Sequence, residues 1–206
     1  MSSITAPKIS IVMTLYETYH FRPRAFAGVM QQNYANWELI LVSDGPAARE
    51  KYDPRRIFRT LQRGFPSNRA EFHELPRAPG CYVNAARAFG LTRAEGDYVC
   101  WVNHDNLISP DYLRTHARNI RRRPGCLSVV DIDLWKEERY RGRFPRGYRC
   151  GKIDLLCYAL PTEIARELGA FGPEVERLYA ADGKLFEAAA RVLSIEHERR
   201  LVGTHF

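Results

Sequence analysis

The amino-acid sequence predicts a single α/β domain with a mostly parallel sheet and helices on both faces. Short apolar runs rich in β-branched residues alternate with stretches of helical apolar spacing, which is typical of strand–helix–strand units. The chain has 206 residues, 45% of them hydrophobic, which is enough for one domain with a sizeable core. No internal repeat or linker-like tract divides the sequence, so residues 1–206 are treated as one domain.

Four apolar segments are predicted to form strands, at residues 9–14, 38–43, 71–75 and 98–102. The second is followed by Asp44-Gly45-Pro46, a strong turn signal. Helical spacing predicts five helices, at residues 21–32, 84–93, 111–122, 161–168 and 183–192. By contrast, Glu137–Arg149 is rich in Arg, Tyr, Gly and Pro, which predicts a long loop of the kind that is often functional.

Charge and cysteine content narrow the function classes. A net charge of +7 favours an anionic partner, such as a nucleotide, a lipid phosphate, a nucleic acid or an acidic glycan. The five cysteines form no C-x-x-C pair, which argues against a zinc site or a disulfide framework, and free thiols fit a reducing compartment. Because there is neither a signal-peptide pattern nor an apolar run long enough to span a membrane, we expect a cytoplasmic protein, with peripheral membrane contact left open.

Polar residues follow three of the predicted strands. These segments are Thr14-Leu15-Tyr16-Glu17, Ser43-Asp44-Gly45 and Asn103-His104-Asp105-Asn106. In open α/β sheets, ligands bind beyond the carboxyl ends of the strands, so the three segments are expected to meet in one crevice. Asp105 beside His and Asn suits a hard divalent cation held next to phosphates. Taken singly, Asp44 could form only an Asx-turn, and the last segment could be a plain polar turn.

Several common nucleotide and hydrolase motifs are absent from the sequence. No G-x-G-x-x-G follows the first strand, which disfavours a dinucleotide oxidoreductase, and no G-x-x-x-x-G-K-[ST] P-loop occurs. No G-x-S-x-G elbow supports a Ser-His-Asp hydrolase.

The order and spacing of several segments resemble family 2 of the GT-A glycosyltransferases over nearly the whole chain. Residues 9–16 resemble the opening strand with its T-x-Y motif, 29–45 the Q-x-Y-x-x-W-E-L-I-x-V-D-D-G passage, 84–87 and 94–99 the A-A-R-N and A-x-G-x-Y motifs, 103–113 the D-x-D segment with its P-D-x-L, 168–172 the L-G-G-F-D motif, and 181–186 the E-D-x-x-L block.

This resemblance implies a Rossmann-like GT-A domain, with a nucleotide-sugar half at about residues 1–110 and an acceptor and catalytic-base half at about 111–206. It implies inverting transfer from a nucleotide sugar, with UDP preferred as the commonest nucleotide in the family. Asp182 would be the general base. Asp105 and His205 would bind Mn²⁺ or Mg²⁺. The nucleotide-sugar site would comprise Thr14, Leu15, Tyr16, Glu17, Asp44, Arg87 and His104, with Asp44 on the base.

The sequence also departs from the family pattern. Asn103 or His104 replaces the first acid of the metal motif, Ala181 replaces the Glu before the base, and Ser43 replaces one Asp of an Asp-Asp pair. Two other hypotheses therefore stay open: a catalytically weak relative that binds a nucleotide sugar or a glycan, and a basic nucleic-acid-binding module. A helix-cap role for Asp182 is a further alternative.

The arginine-rich segment Glu137–Arg149 is the candidate acceptor region. Its arginines alternate with aromatic residues, and Arg forks bind phosphate or carboxylate while aromatic faces stack on sugars or bases. We expect Arg141 and Arg143 to hold an anionic acceptor or the donor diphosphate, in a loop that orders on binding; a solvated basic loop is the alternative. The acceptor itself stays open among glycans, lipid-linked intermediates, small metabolites and modified nucleic acids, as does homo-oligomer formation.

Overall fold

The computed structural model describes residues 6–15, 23–45, 55, 58–59, 62–63, 70–76, 83–136, 139–175 and 177–205. The strands are β1 Ile9–Leu15, β2 Trp37–Asp44, β3 Ala70–Leu75, β4 Tyr98–Asn103, β5 Leu107–Ile108, β6 Leu127–Lys136, β7 Arg139–Phe144, β8 Tyr158–Pro161 and β9 Ile195–His205. The helices are α1 Pro23–Met30, α2 Asn84–Arg93, α3 Tyr112–Arg122, α4 Thr162–Glu167 and α5 Ala181–Val192, with a 3₁₀ turn at Leu155–Cys157.

All of these strands belong to one sheet, in the order β3-β2-β1-β4-β8-β6-β9-β5, with β7 paired to β6. The α/β fold class is confirmed. The four predicted strands lie within one residue of β1 to β4, and these strands pair in parallel. Because β1 and β2 are buried almost without interruption, they have the continuous apolar character of parallel strands covered on both faces.

The other half of the sheet is mixed. Strand β8 runs antiparallel to both β4 and β6, and β5 runs antiparallel to β9. Only β6 and β9 pair in parallel there, with register shifts along their length. The expectation of a mostly parallel sheet therefore describes β1 to β4, and the remainder of the described sheet alternates in direction.

The prediction of a long loop at Glu137–Arg149 is wrong for Arg139–Phe144. Residues 139–144 form β7, which pairs antiparallel with β6 and has a bulge at Leu134/Trp135. Glycine suits the pairing because Gly142 adopts φ +116°, and Phe144 lies buried opposite Ile132. Because this segment is rich in arginine and contains a glycine, its local sequence does not predict the strand, which pairs with the preceding strand β6. Among the described residues of this segment, those after Phe144 lie outside the strand.

Helix α2, which carries Arg87, packs closely on β1. A Cβ on Gly90 would lie 2.3 Å from Val12 Cγ1, so only glycine lets the helix approach this strand. Trp101 of β4 packs edge to face against Phe171, with 5.2 Å between ring centroids. Among the described helices, none is long and apolar enough to cross a membrane.

Candidate functional site

The ends of β1, β2 and β4 meet as the sequence predicts. Thr14 Oγ1 donates a 3.1 Å hydrogen bond to Asn103 Oδ1, and the His104 amide donates to the Thr14 carbonyl at 3.1 Å. Parallel pairing with β1 brings the end of β2, and with it Asp44, to the same edge. Tyr16 and Glu17, which follow β1, lie outside the described residues.

Several of the predicted nucleotide-sugar residues are buried, and polarity separates them into two groups. Leu15 is 1% exposed and belongs to the core, so a ligand could reach it only through its backbone. Thr14, Asp44 and His104 are also buried, but they are polar and lie at the carboxyl edge of the sheet. Their assignment to a nucleotide-sugar site stays a prediction.

Arg87 lies on α2 and contacts the end of β4. Its guanidinium donates to Asn84 Oδ1 at 2.8 Å and to Asn103 Oδ1 at 3.2 Å, and its Cζ is 5.2 Å from the centre of the Phe171 ring. Burial lowers the pKa of Arg87, while the negative charge of Asp182 is the largest opposing effect. Since arginine starts from a very high pKa, Arg87 stays cationic and provides fixed positive charge at this edge.

Asp182 occupies the first turn of α5. The N-cap position is Ala180 and makes no side-chain cap bond, so Asp182 is not the cap residue. Its Oδ1 accepts a 2.8 Å hydrogen bond from the Gly183 amide. Burial raises the pKa of Asp182, and the charge of Asp154 adds to the rise, against the Gly183 amide and Arg87. A raised pKa makes a carboxylate a stronger proton acceptor.

Asp154 is a site residue that the sequence reasoning missed. It precedes the 3₁₀ turn, and its Oδ2 lies 2.6 Å from His205 Nδ1. Burial alone would lower the pKa of His205, but Asp154, followed by Asp105 and Asp182, raises it to about 9. The sequence does contain a signal, because Asp154 is a lone acid within the apolar run Ile153 to Leu156. A buried carboxylate in such a run needs a partner.

The predicted metal residues fit a cation that is bound partly by the protein and partly by the phosphates of a substrate. Asp105 Oδ1 is buried and has no hydrogen-bond partner among the described residues. The same part of the chain contains no group of three or more His, Cys, Asp and Glu side chains that could hold a metal ion. Mg²⁺ in proteins is commonly bound by one or two carboxylates together with substrate phosphates. A cation shared with phosphates therefore fits Asp105, whereas one held by the protein alone does not.

Arg141 and Arg143 lie on the β6–β7 hairpin rather than on a loop. Arg143 Nε is 3.7 Å from Asp133 Oδ1, and Tyr140 packs on Trp135 with 5.5 Å between ring centroids. Leu134 of β6 is in register with His205 of β9, so the hairpin begins beside the end of β9. The hairpin therefore borders the edge that carries His205.

An α/β sheet with buried carboxylates and a fixed arginine at its carboxyl edge has these groups where open α/β folds bind their ligands. The glycosyl transferase family 2 model matches residues 10–167. The chain therefore belongs to glycosyl transferase family 2.

Relatives and solved structures agree with this assignment. An uncharacterized glycosyltransferase of Rickettsia typhi is 23% identical over 94% of this chain, and one of Haemophilus influenzae is 30% identical over 52%. The chain spans 62% and 40% of these relatives' lengths.

Two solved structures share the fold. TarS of S. aureus in complex with UDP superimposes with a TM-score of 0.76 at 14% identity, over 96% of this chain and 60% of that one. The mannosyltransferase PcManGT of Pyrobaculum calidifontis, in complex with GDP-Man and Mn²⁺, gives a TM-score of 0.69 at 16% identity, over 98% and 57%.

Proposed function

We propose that this chain transfers a sugar from a nucleoside diphosphate donor, with UDP-sugars preferred, to an acceptor hydroxyl with inversion. The observation that carries the proposal is the gathering of Asp105, Asp182 and cationic Arg87 at one sheet edge, where both carboxylates act to raise the pKa of Arg87. The family match, together with the nucleotide complexes of the structural neighbours, supports this reading.

Asp182 is the proposed general base. It accepts the proton of the acceptor hydroxyl, and the acceptor oxygen forms a bond to the anomeric carbon. As that bond forms, the bond from the anomeric carbon to the diphosphate oxygen breaks, and the electron pair leaves with the nucleoside diphosphate. The raised pKa of Asp182 supports this role because it favours proton uptake.

The donor site comprises the carboxyl ends of β1, β2 and β4, within the half of the chain at about residues 1–110. Asp44 contacts the nucleotide base of the donor, and Arg87 contributes positive charge near the phosphates. Asp105, with His205 as a second candidate ligand, would hold a divalent cation such as Mn²⁺ or Mg²⁺, and the cation would supply positive charge for the leaving diphosphate. The buried, unpartnered Asp105 Oδ1 supports this assignment.

The acceptor side comprises the half at about residues 111–206 and includes the β6–β7 hairpin. Arg141 and Arg143 are its proposed anion contacts, since guanidinium groups bind phosphate and carboxylate with two parallel hydrogen bonds. The exposed Tyr140 ring, 53% exposed, supports a surface that binds a sugar or another flat group. We infer an acceptor that carries negative charge.

Donor binding is tested by thermal shift with nucleoside diphosphates and nucleotide sugars, with and without Mn²⁺, because a ligand of the native state raises its apparent stability. Asp44→Ala should weaken UDP binding in both conditions, and Asp105→Ala should remove the Mn²⁺-dependent part. Glu167→Gln changes an exposed acid of α4 and is the control. Unaltered UDP binding in both site variants, with the fold retained, contradicts the proposed crevice.

The base is tested with Asp182→Asn, which should keep UDP affinity and slow transfer about 100-fold or more. The acid limb of the wild-type rate profile should lie above the ordinary aspartate pKa, because only the carboxylate accepts the proton and burial raises its pKa. An Asn variant with normal turnover excludes Asp182 as the base. UDP binding without sugar transfer in the wild type would instead favour a catalytically weak relative. The metal motif supports this second candidate, because Asn103 or His104 replaces its first acid.

A further inference from the structure

The Asp154–His205 pair is a contact between two distant segments at the proposed donor site. Asp154 lies just before the 3₁₀ turn, whereas His205 ends β9, and Asp154 Oδ2 is 2.6 Å from His205 Nδ1. The second carboxylate oxygen, Oδ1, accepts a 2.9 Å hydrogen bond from the Leu156 amide. Both oxygens of Asp154 are therefore committed to the protein, and the carboxylate is oriented by two independent contacts.

This orientation decides which part of the imidazole faces a ligand. With Nδ1 bonded to Asp154, Nε2 is the ring nitrogen that remains for a further contact. In histidine sites, the hydrogen bond made by one ring nitrogen fixes the role of the other, and a carboxylate behind the ring is a common way to do so. The carboxylates of Asp105 and Asp182 also act to raise the pKa of His205, as they do for Arg87, so the ring belongs to the same edge.

Resting on the proposed function, we propose that Asp154 is a positioning residue that holds His205 so that Nε2 serves the diphosphate end of the donor. Nε2 does so either by donating a hydrogen bond to a phosphate or, after losing its proton, by binding the cation that the phosphates share. Asp154 itself touches neither donor nor cation. Its contribution is to keep a flexible ring in one orientation before the donor arrives, which avoids the entropy cost of ordering it on binding.

The chain offers a matched control, a second Asp–His pair whose histidine also lies on β9. Asp131 Oδ1 of β6 lies 2.7 Å from His197 Nε2 of β9. The two side chains of this pair are 10% and 12% exposed, against 16% and 27% for Asp154 and His205. His197 makes its other ring contact with the Tyr148 hydroxyl at 2.7 Å, so both of its nitrogens are occupied. Asp131→Asn thus breaks a comparable Asp–His pair whose histidine has no nitrogen left for a ligand.

The test measures UDP affinity by calorimetry, with Mn²⁺ and with chelator, for wild type, Asp154→Asn, His205→Ala, their double variant and Asp131→Asn. His205→Ala should weaken UDP binding about 10-fold, the range for one contact to a charged group. Asp154→Asn should weaken it about 3- to 10-fold, and the double variant should be no weaker than His205→Ala, because the two residues act as one unit. Asp131→Asn should lower the Tm and leave UDP affinity unchanged.

Several results would overturn the positioning role. They are wild-type UDP affinity in Asp154→Asn, fully multiplicative losses in the double variant, or an equal loss of UDP affinity in Asp131→Asn. A loss seen only with Mn²⁺ identifies Nε2 as a cation contact, and an equal loss under chelation identifies a direct phosphate contact; both support positioning. Failure of wild type to bind any nucleoside diphosphate removes the proposed function instead, and the two failures are thereby distinguished.

Discussion

Two arginine-rich surfaces of this chain differ in what their arginines contact. The helix cluster consists of Arg114, Arg118, Arg122 and Arg123 on and just after α3, and the hairpin cluster consists of Arg139, Arg141 and Arg143 on β7. Each of these four helix arginines pairs with a carboxylate of Asp111, Glu196 or Glu198. Arg121, also on α3, is left out of the cluster because no carboxylate lies at ion-pair distance from it among the described residues.

The hairpin cluster has fewer partners. Arg143 lies 3.7 Å from Asp133, and Arg139 and Arg141 have no carboxylate at ion-pair distance among the described residues. Glu137 and Glu138, just before β7, lie outside those residues. Residues 136–149 carry six basic and two acidic side chains, so the segment keeps a positive surplus whichever pairs they form. A high density of arginine therefore does not by itself identify an anion site. What matters is whether carboxylates on neighbouring strands already pair with those arginines.

The largest expected effect is on the hairpin. Replacing Arg139 and Arg141 together with Ala should weaken binding of inorganic polyphosphate, a probe for an anionic acceptor, about 10- to 100-fold, because contacts between charged groups are among the strong ones. Fluorescence titration measures the dissociation constant. Arg118→Ala with Arg122→Ala is the matched control and should change it less than about twofold, since those guanidinium groups are already neutralised. Equal losses in the two double variants would erase the distinction.

A second change should make the helix cluster resemble the hairpin. Glu196→Gln with Glu198→Gln removes the β9 partners of Arg118 and Arg122, leaving their charge free. Polyphosphate affinity should then rise about 3- to 10-fold through the added local field. Losing the pairs should cost about 1 kcal/mol of unfolding free energy, or about 2–4 °C in Tm. An unchanged affinity would mean that geometry, rather than pairing, limits anion binding on α3.

Salt gives a smaller contrast. Raising NaCl from about 50 mM to about 200 mM should weaken polyphosphate binding by the wild type several-fold, because the Debye length shortens around exposed charges. The Tm should move by less than about 2 °C over the same range, since half-exposed pairs contribute little stability. A salt-independent affinity would indicate that the Trp135–Tyr140 ring pair, rather than the arginines, makes the main contact.

The smallest effects are expected at Tyr140. Tyr140→Phe removes its 3.3 Å hydrogen bond to Asp133 and keeps the ring on Trp135, so polyphosphate affinity should change less than about twofold. Tyr140→Ala also removes the ring pair, and affinity for a sugar-bearing acceptor analogue should fall about 2- to 10-fold. Surface plasmon resonance resolves both changes. A large effect of Tyr140→Phe would assign the main role to the hydroxyl.

The sequence predicts the first half of the fold better than the second, for a physical reason. Strands β1, β2 and β4 are buried on both faces, so their apolar runs are visible locally. Strand β9 contains Glu196, Glu198 and Arg200, whose charges are satisfied by α3 and Asp111, about 80 residues earlier in the chain. Such a strand has no local apolar signature, and only the tertiary partners make it a strand.

The site divides in the same way. Thr14, Asp44 and Asp105 could be predicted together because strand ends of a parallel sheet share one edge. Asp154 could not be assigned because its partner, His205, is 51 residues away in sequence. Spacing rules describe neighbours along one element, and this pair joins a 3₁₀ turn to a strand that the apolar pattern does not predict.

The position of β9 also has a consequence for synthesis of the chain. This strand is the last of those described, yet it lies inside the sheet, between β6 and β5. While a ribosome is still translating residues 195–205, β6 presents an unpaired edge to other nascent chains, and such edges invite aggregation. His205, at the end of β9, reaches Asp154 only after β9 has joined the sheet. Translation of β9 therefore completes the proposed donor site at the same step that covers the open edge of β6.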